Sequence, residues 1–423
     1  MTGDLLETAD RLWRGEIGIE DRFPFAAGGE HVEVADRTLF VASFANVSTF
    51  ATDEGLLLVD TGAVFVASSV HEVIRGWSDD PLHTAVYSHG HVDHVFGVPV
   101  FEQEGRGPAR VIAHEAMPAR FRRYVLTAGF NSWINRRQFG VDQLEWPTEY
   151  RYPDVTYRDT LTVELGGETF ELHHARGETD DHTWTWVPGR KVLCTGDFVI
   201  WASPNAGNPQ KVQRYPSEWA TALREMASLG AEVLLPGHGL PIVGADRIRQ
   251  TLTDTAELLE HIHDETVRMM NDGARLDDIV HAVRPPEHLI ERPYLRPVYD
   301  DPEFIIHNVW RLYGGWFDGN PATLKPASET ELARELATLA GGPRVLAERA
   351  RVLAGEGNLR LAAHLAETAA LADPEDATLH EIRAEVYEAR VRAEPALMAK
   401  GIYGWAARES RARLSPGSTD PSR

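Results

Sequence analysis

A layered α/β domain followed by an all-α half is the architecture predicted for this 423-residue sequence. Three observations predict it. Up to about residue 245, short β-type runs alternate with Gly, Pro and Asp turns. Segments with apolar residues at three- and four-residue spacing lie between some of those runs, as helices covering a sheet would. From Asp246 onward strand-like runs largely disappear. The chain is too long for one ordinary core, so two or three domains are expected, with boundaries at 1–245, 246–410 and a tail at 411–423.

The β-type runs are TLFVASF, GLLLVDTG, HTAVYSHG, ARVIAH, TLTVEL, ETFELHHA, TWTWVPG, KVLCTGDF and AEVLLPGHG, with AVFVASSVHEVIRGW and PSEWATALREMASLG as the covering helices. DRIRQTLTDTAELLEHIHDETVRMMNDG then reads as one long amphipathic helix, and the proline-rich RPPEHLIERPYLRPVYDDPEF as an extended connector. NVWRLYGGWFDGNPATLKP carries aromatic residues that need burial or a partner. Residues 329 to 400 are Ala- and Leu-rich, and their small-residue, Gly-Asn and Pro spacing resembles a tetratricopeptide helix pair. One such unit leaves an apolar face uncovered, so it must stack on the preceding helices or on another chain. The final RARLSPGSTDPSR is polar and reads as disordered.

Lys+Arg 42 against Asp+Glu 64 gives a net charge of -22, a surface that repels polyanions. Nucleic acid and anionic membranes are therefore poor partners overall, and none is expected, while a local basic pocket for a small anion is not excluded. The single cysteine, Cys194, sits in an apolar run and reads as a buried structural thiol, which rules out a cysteine-built metal site. The acidic, amphipathic start lacks a signal-peptide pattern and no apolar run reaches transmembrane length, so the expectation is a soluble, cytoplasmic protein without membrane insertion.

The chemistry gathers at HGHVDH, which places His89, His91, Asp93 and His94 directly after the strand-like TAVYS. Strand ends are where ligands converge in layered α/β folds. Two histidines one residue apart can approach one ion, while Asp93 and His94 can reach a second. The bland alternative, a polar turn with ordinary histidines, does not account for four metal-capable side chains in six positions.

HGHVDH resembles the signature of the metallo-β-lactamase superfamily, and LLLVDTG is similar to that superfamily's first motif, in which the aspartate, here Asp60, supports the metal loop. The resemblance covers roughly residues 35 to 245 and implies an αββα sandwich carrying one or two zinc ions. It also implies that RGETDD stands where a third histidine is usual, that Asp197 in CTGDF bridges two metals, and that His238 in PGHG is the last histidine. At the third position Glu178 competes with His173, His174 and His182, and motif register favours Glu178. A glutamate there resembles the alkyl sulfatase branch, as does VWRLYGGWFDGNP, the opening of that branch's dimerisation domain. Two departures stand out: the chain stops without the sterol-carrier-like third domain of longer members, and PGHG replaces their His-rich segment.

The resemblance thus implies two zinc ions, with manganese or iron as substitutes, held by His89, His91 and Glu178 and by Asp93, His94 and His238, with Asp197 between. A water so activated would hydrolyse a sulfate ester with an anionic head and an apolar tail, in a homodimer. Three carboxylates and a hydroxide leave two dications roughly neutral, so a sulfate needs further cations. Lys211 and Arg214 in NAGNPQKVQRYP are the candidates beside Asp93 and Asp197 in the catalytic set; two solvated surface cations are the plain alternative. RFRRYVLTAGFNSWINRRQFG reads either as a substrate wall or as a helix with Phe121, Val125 and Leu126 in the core and its arginines outside. Trp133, Trp146, Trp201 and Trp219 either suit an apolar tail or fill a core. The competing readings are another ester, lactone or phosphoester hydrolase, and a helical scaffold with a vestigial metal domain.

Overall fold

The computed structural model describes residues 5–26 and 28–414. One compact unit comprises the described residues up to Ala128 together with Pro147–Trp316; the other comprises Gly129–Trp146 and the described residues from Phe317.

The first unit holds the thirteen strands found among the described residues. A seven-stranded sheet runs in sequential order through β1 (Glu30–Ala35), β2 (Thr38–Ala42), β3 (Val47–Thr52), β4 (Gly55–Val59), β5 (Leu82–Val86), β6 (Arg110–His114) and β7 (Val155–Tyr157). It is antiparallel as far as β4 and parallel from β4 to β7. The second sheet contains β8 (Thr160–Leu165), β9 (Glu168–His174), β10 (Thr183–Val187), β11 (Val192–Gly196), β12 (Val233–Pro236) and β13 (Ile242–Val243), in the order β13-β12-β11-β10-β9-β8. Among its pairs only β11 and β12 run parallel.

The helices are α1 (Leu5–Trp13), α2 (Ala67–Trp77), α3 (Val98–Glu102), α4 (Met117–Leu126), α5 (Ala128–Phe139), α6 (Pro216–Ala227), α7 (Ala245–Asn271), α8 (Leu276–Ala282), α9 (Glu287–Ile290), α10 (Pro302–Gly314) and α11 (Pro321–Leu324), then α12 (Glu329–Ala340), α13 (Pro343–Gly355), α14 (Leu359–Ala372), α15 (Ala377–Ala393) and α16 (Leu397–Leu414). None of the described helices is long and apolar enough to cross a membrane.

The strand period of two sorts the core into layers. Leu39, Val41, Val47, Leu56 and Leu58 pack with Val70 and Ile74 of α2. Burying each such side chain contributes about 1.5–3 kcal/mol. Phe50, buried in β3, meets Phe170 of β9 edge-on with centroids 5.4 Å apart, which joins the two sheets. On the far side of the second sheet, Trp219 of α6 packs edge-on against Phe198 at 5.7 Å. This is the expected αββα layering. Cys194 is buried within it, and burial pushes its thiol up to about 12.

Three expectations need correction. The compact unit continues past residue 245 to Trp316, because α7 packs on α6 and the segment read as a connector is anchored, with Tyr294, Leu295 and Val298 buried. In α4, Phe121 is buried, but Val125 is exposed, Leu126 is 83% exposed, and Arg120 points inward. The apolar spacing could not register that Arg120 meets the buried carboxylate of Asp181. Residues 411–414 close α16, and the rest of the expected disordered tail lies outside the described residues.

In the second unit Ala347, Ala350 and Leu353 of α13 pack with Ala362, Ala366 and Ala369 of α14 and with Leu379, Ile382 and Val386 of α15. The alanines let neighbouring helix axes approach closely, as a stacked helix pair requires.

Candidate metal centre

Strand pairing brings the site together. Val59 stands opposite Val86 in the parallel β4–β5 pair, so Asp60 and the segment from Ser88 leave the sheet at the same end. One oxygen of Asp60 accepts the Ser88 backbone N–H at 2.7 Å; the other accepts the Ser88 hydroxyl and lies 2.8 Å from Nδ1 of His94. This orients His94 with Nε2 outward, the supporting role inferred for Asp60. Thr61 ties the far end of the loop through its N–H and hydroxyl to the His94 carbonyl. Gly97 packs so tightly there that a Cβ would stand 2.0 Å from the Thr61 carbonyl oxygen. In the second sheet the parallel β11–β12 pair delivers Asp197 and His238 to one edge in the same way.

The seven side chains converge as two groups. Ligand atoms of His89, His91, Glu178 and Asp197 lie within 4.8 Å of one another, and so do those of Asp93, His94 and His238. Asp197 reaches both: its carboxylate is 3.7 Å from His89 Nε2, 3.4 Å from His94 Nε2 and 3.4 Å from His238 Nε2. Asp93 approaches His238 Nε2 at 3.5 Å and His94 Nε2 at 3.7 Å.

The donor set fits divalent cations. His94 Nε2, Glu178 Oε2 and Asp197 Oδ1 are buried without a hydrogen-bond partner, a costly state that a cation among them relieves. Burial lowers His94, yet Asp60, Asp197 and Asp93 together push it well above the usual histidine range. Burial raises Asp197, but His238 and His94 hold it well below the usual carboxylate range. Burial pushes Glu178 well up, against the pull of Arg214. Carboxylates and imidazoles crowded out of water in this way favour a bound positive ion.

The neighbouring histidines have other partners. His173 stacks on Trp184 at 4.0 Å and His174 on His114 at 3.6 Å. His182 stacks on Phe198, accepts the Asp197 N–H at 3.2 Å, and is held down to about 3, chiefly by burial. Glu178 is thus the member of this segment that joins His89 and His91.

Arg214 is buried rather than solvated. It lies 3.3 Å from Glu178 Oε1 and donates to the Glu178 carbonyl. Asn205, missed in the sequence, donates its amide to the same Oε1, which leaves Oε2 for a metal. Lys211 is half-buried, and burial followed by the nearby Arg214 charge lowers it to about 7.

The loop carrying these residues is held from beyond residue 245. Asp300 accepts the N–H groups of Gly207 and Asn208, and Asn308 of α10 donates to the Ala206 and Arg214 carbonyls. Tyr299, also missed, stacks on Phe25 at 3.9 Å, and Phe25 in turn lies 4.1 Å from the His238 ring. Burial first, then Glu178, Asp93 and Asp197, raise the Tyr299 hydroxyl well above its usual range. The only sequence signal for Asn205 was its place in the loop read for its cations; Tyr299 and Asp300 lay in the supposed connector.

Three of the four tryptophans are buried as core, and Trp133 is half-buried. Trp201 is buried and donates to the Leu240 carbonyl, and Trp219 donates to that of Phe198. In the second unit Trp133 meets Trp405 edge-on at 5.1 Å, and Trp146 is buried.

Residues 41–238 match the family model described as Metallo-beta-lactamase superfamily, and residues 275–413 that described as Alkyl sulfatase dimerisation. A linear primary-alkylsulfatase of Pseudomonas sp. is 30% identical over 360 residues, covering 79% of this chain and 68% of that protein. An alkyl/aryl-sulfatase of Saccharomyces cerevisiae is 24% identical over 378 residues, covering 81% of this chain and 58% of that protein. The fold is shared with the stereoselective inverting sec-alkylsulfatase Pisa1 from Pseudomonas sp., at a TM-score of 0.82 and 22% identity over 91% of this chain and 66% of that one. The chain therefore spans 58% to 68% of the length of these relatives. With its two matched regions and this 30% identity, the chain belongs to the metallo-beta-lactamase superfamily, in its alkyl sulfatase branch.

Proposed function

We propose that the protein is a dinuclear metal hydrolase of alkyl sulfate esters, producing an alcohol and sulfate. The observation that carries this reading is the pair of buried ligand groups meeting at Asp197, with a glutamate and its arginine where a third histidine is usual. His89, His91, Glu178 and Asp197 would hold one ion, and Asp93, His94 and His238 with Asp197 the other. Zinc is the expected metal, and manganese or iron suits the carboxylate-rich set as well. When bound, such ions supply Lewis acidity and a water acidic enough to attack at neutral pH.

The chain's own residues contribute orientation and charge. Asp60 and His182 aim His94 and Asp197. Arg214 offsets the extra negative charge that Glu178 brings, so the site regains the positive unit lost with the usual histidine. Lys211, in its charged form and close enough to feel Asp93 and Glu178, would meet a sulfate head; Arg214, paired with Glu178, would serve the anion indirectly. A vestigial site on a scaffold is disfavoured, because every expected ligand position holds a competent side chain.

The test is release of inorganic sulfate from dodecyl sulfate by zinc-loaded protein, run beside a phosphodiester and a lactone. Sulfate release with slow turnover of the other two supports the proposal. Metal uptake with turnover of only the lactone or phosphodiester transfers the site to those substrates, and metal-loaded protein inert on all three supports the scaffold.

A further inference from the structure

We propose that Arg120 is a positioning residue for the ligand group of His89, His91 and Glu178, acting through Asp181 and the backbone of Gly90. This rests on the reading above that the group holds a metal ion. Arg120 projects from α4 into the protein and is almost fully buried. Its Nε lies 2.9 Å from Oδ1 of Asp181, and its guanidinium also pairs with Asp180. The second Asp181 oxygen accepts the Gly90 N–H at 3.1 Å.

Gly90 separates His89 from His91, and Asp181 follows Glu178 by three residues. One buried guanidinium therefore connects the two loops that supply these ligands. The approach is close enough to require glycine at 90: a Cβ there would stand 2.7 Å from Cδ of Arg120 and 3.0 Å from Asp181 Oδ2.

The other ligand group is oriented by different contacts. His94 is set by Asp60, and His238 Nδ1 faces the Phe44 carbonyl. Arg120 takes part in neither contact, so its support is specific to one group. Losing it leaves Asp181, wholly buried, as an uncompensated charge, and the loops must move to hydrate it.

The test is zinc titration of the full-length apoprotein against a chromophoric chelator. Wild type should take up two equivalents. Arg120→Met should weaken one of them about 10- to 100-fold, the usual effect of removing a ligand's supporting contact, and leave the other unchanged. Arg120→Lys should recover part of the loss, and adding Arg120→Met to Glu178→Gln should cost nothing further. Because a lone buried aspartate can prevent folding, Arg120→Met with Asp181→Leu removes both charges and should show the same selective loss in a folded chain. Two retained tight sites, or equal weakening of both, in either folded variant would overturn the proposal while leaving the dinuclear reading intact. Fewer than two equivalents in wild type would overturn both.

Discussion

Asp197 is the residue on which the two ligand groups converge, since its carboxylate approaches His89, His94 and His238 at 3.4 to 3.7 Å. Replacing it with alanine should weaken both metal equivalents by at least about tenfold, whereas His238→Ala should weaken one; metal content after gel filtration distinguishes the outcomes. Lys211 makes a pH-dependent prediction. Its pKa is lowered to about 7, so the ammonium is present below that pH and is lost above it. The KM for an alkyl sulfate should therefore rise as pH passes upward through neutrality, although a bound sulfate will draw the transition higher. Lys211→Arg should flatten this rise, and Lys211→Met should raise KM by about tenfold at pH 6, the loss of one charge-assisted contact.

The loop from Ser203 to Arg214 owes its shape to elements far along the chain. Asp300, buried near the end of the proline-rich segment just before α10, is raised to about 7 by burial, against two backbone N–H groups that lower it. Its unfolded value is about 3.9. The folded state therefore holds this proton more tightly, and the stability contribution falls as pH rises from about 4 to about 7. Asp300→Asn keeps an acceptor for Gly207 and Asn208 without the ionisation. Relative to wild type, its urea midpoint should rise between pH 4.5 and pH 7.5; a constant difference would mean that Asp300 does not titrate in the folded protein.

At the scale of the whole molecule, α12 exposes Leu332, Leu336 and Leu339, one helix face at four- and three-residue spacing, with Leu339 76% exposed. Val345 and Val352 of α13 are exposed as well. Soluble monomers rarely leave so much apolar surface uncovered. The region lies within the stretch matched to alkyl sulfatase dimerisation, so the expected cover is a second copy of the chain. Light scattering should give twice the chain mass, and Leu336→Glu with Leu339→Glu should halve it. A monomeric wild type would assign the face another role.

The candidate ligand set is legible in the sequence because each member follows a strand-like run in a short motif. HGHVDH, RGETDD, CTGDF and PGHG are local patterns, and the two-residue strand period fixes which layer each flanking apolar residue enters. The contacts that hold those ligands are separated by long stretches of chain. Arg120 meets Asp181, Asn205 meets Glu178, and Asp300 meets Gly207, at sequence separations that spacing rules do not address. An arginine on an amphipathic helix looks solvated until a buried carboxylate from another loop faces it, and a proline-rich run looks like a linker until its tyrosine and aspartate are found beneath a site. Local periodicity reports what each segment can form; where a buried charge finds its counterpart depends on the packing of the whole chain.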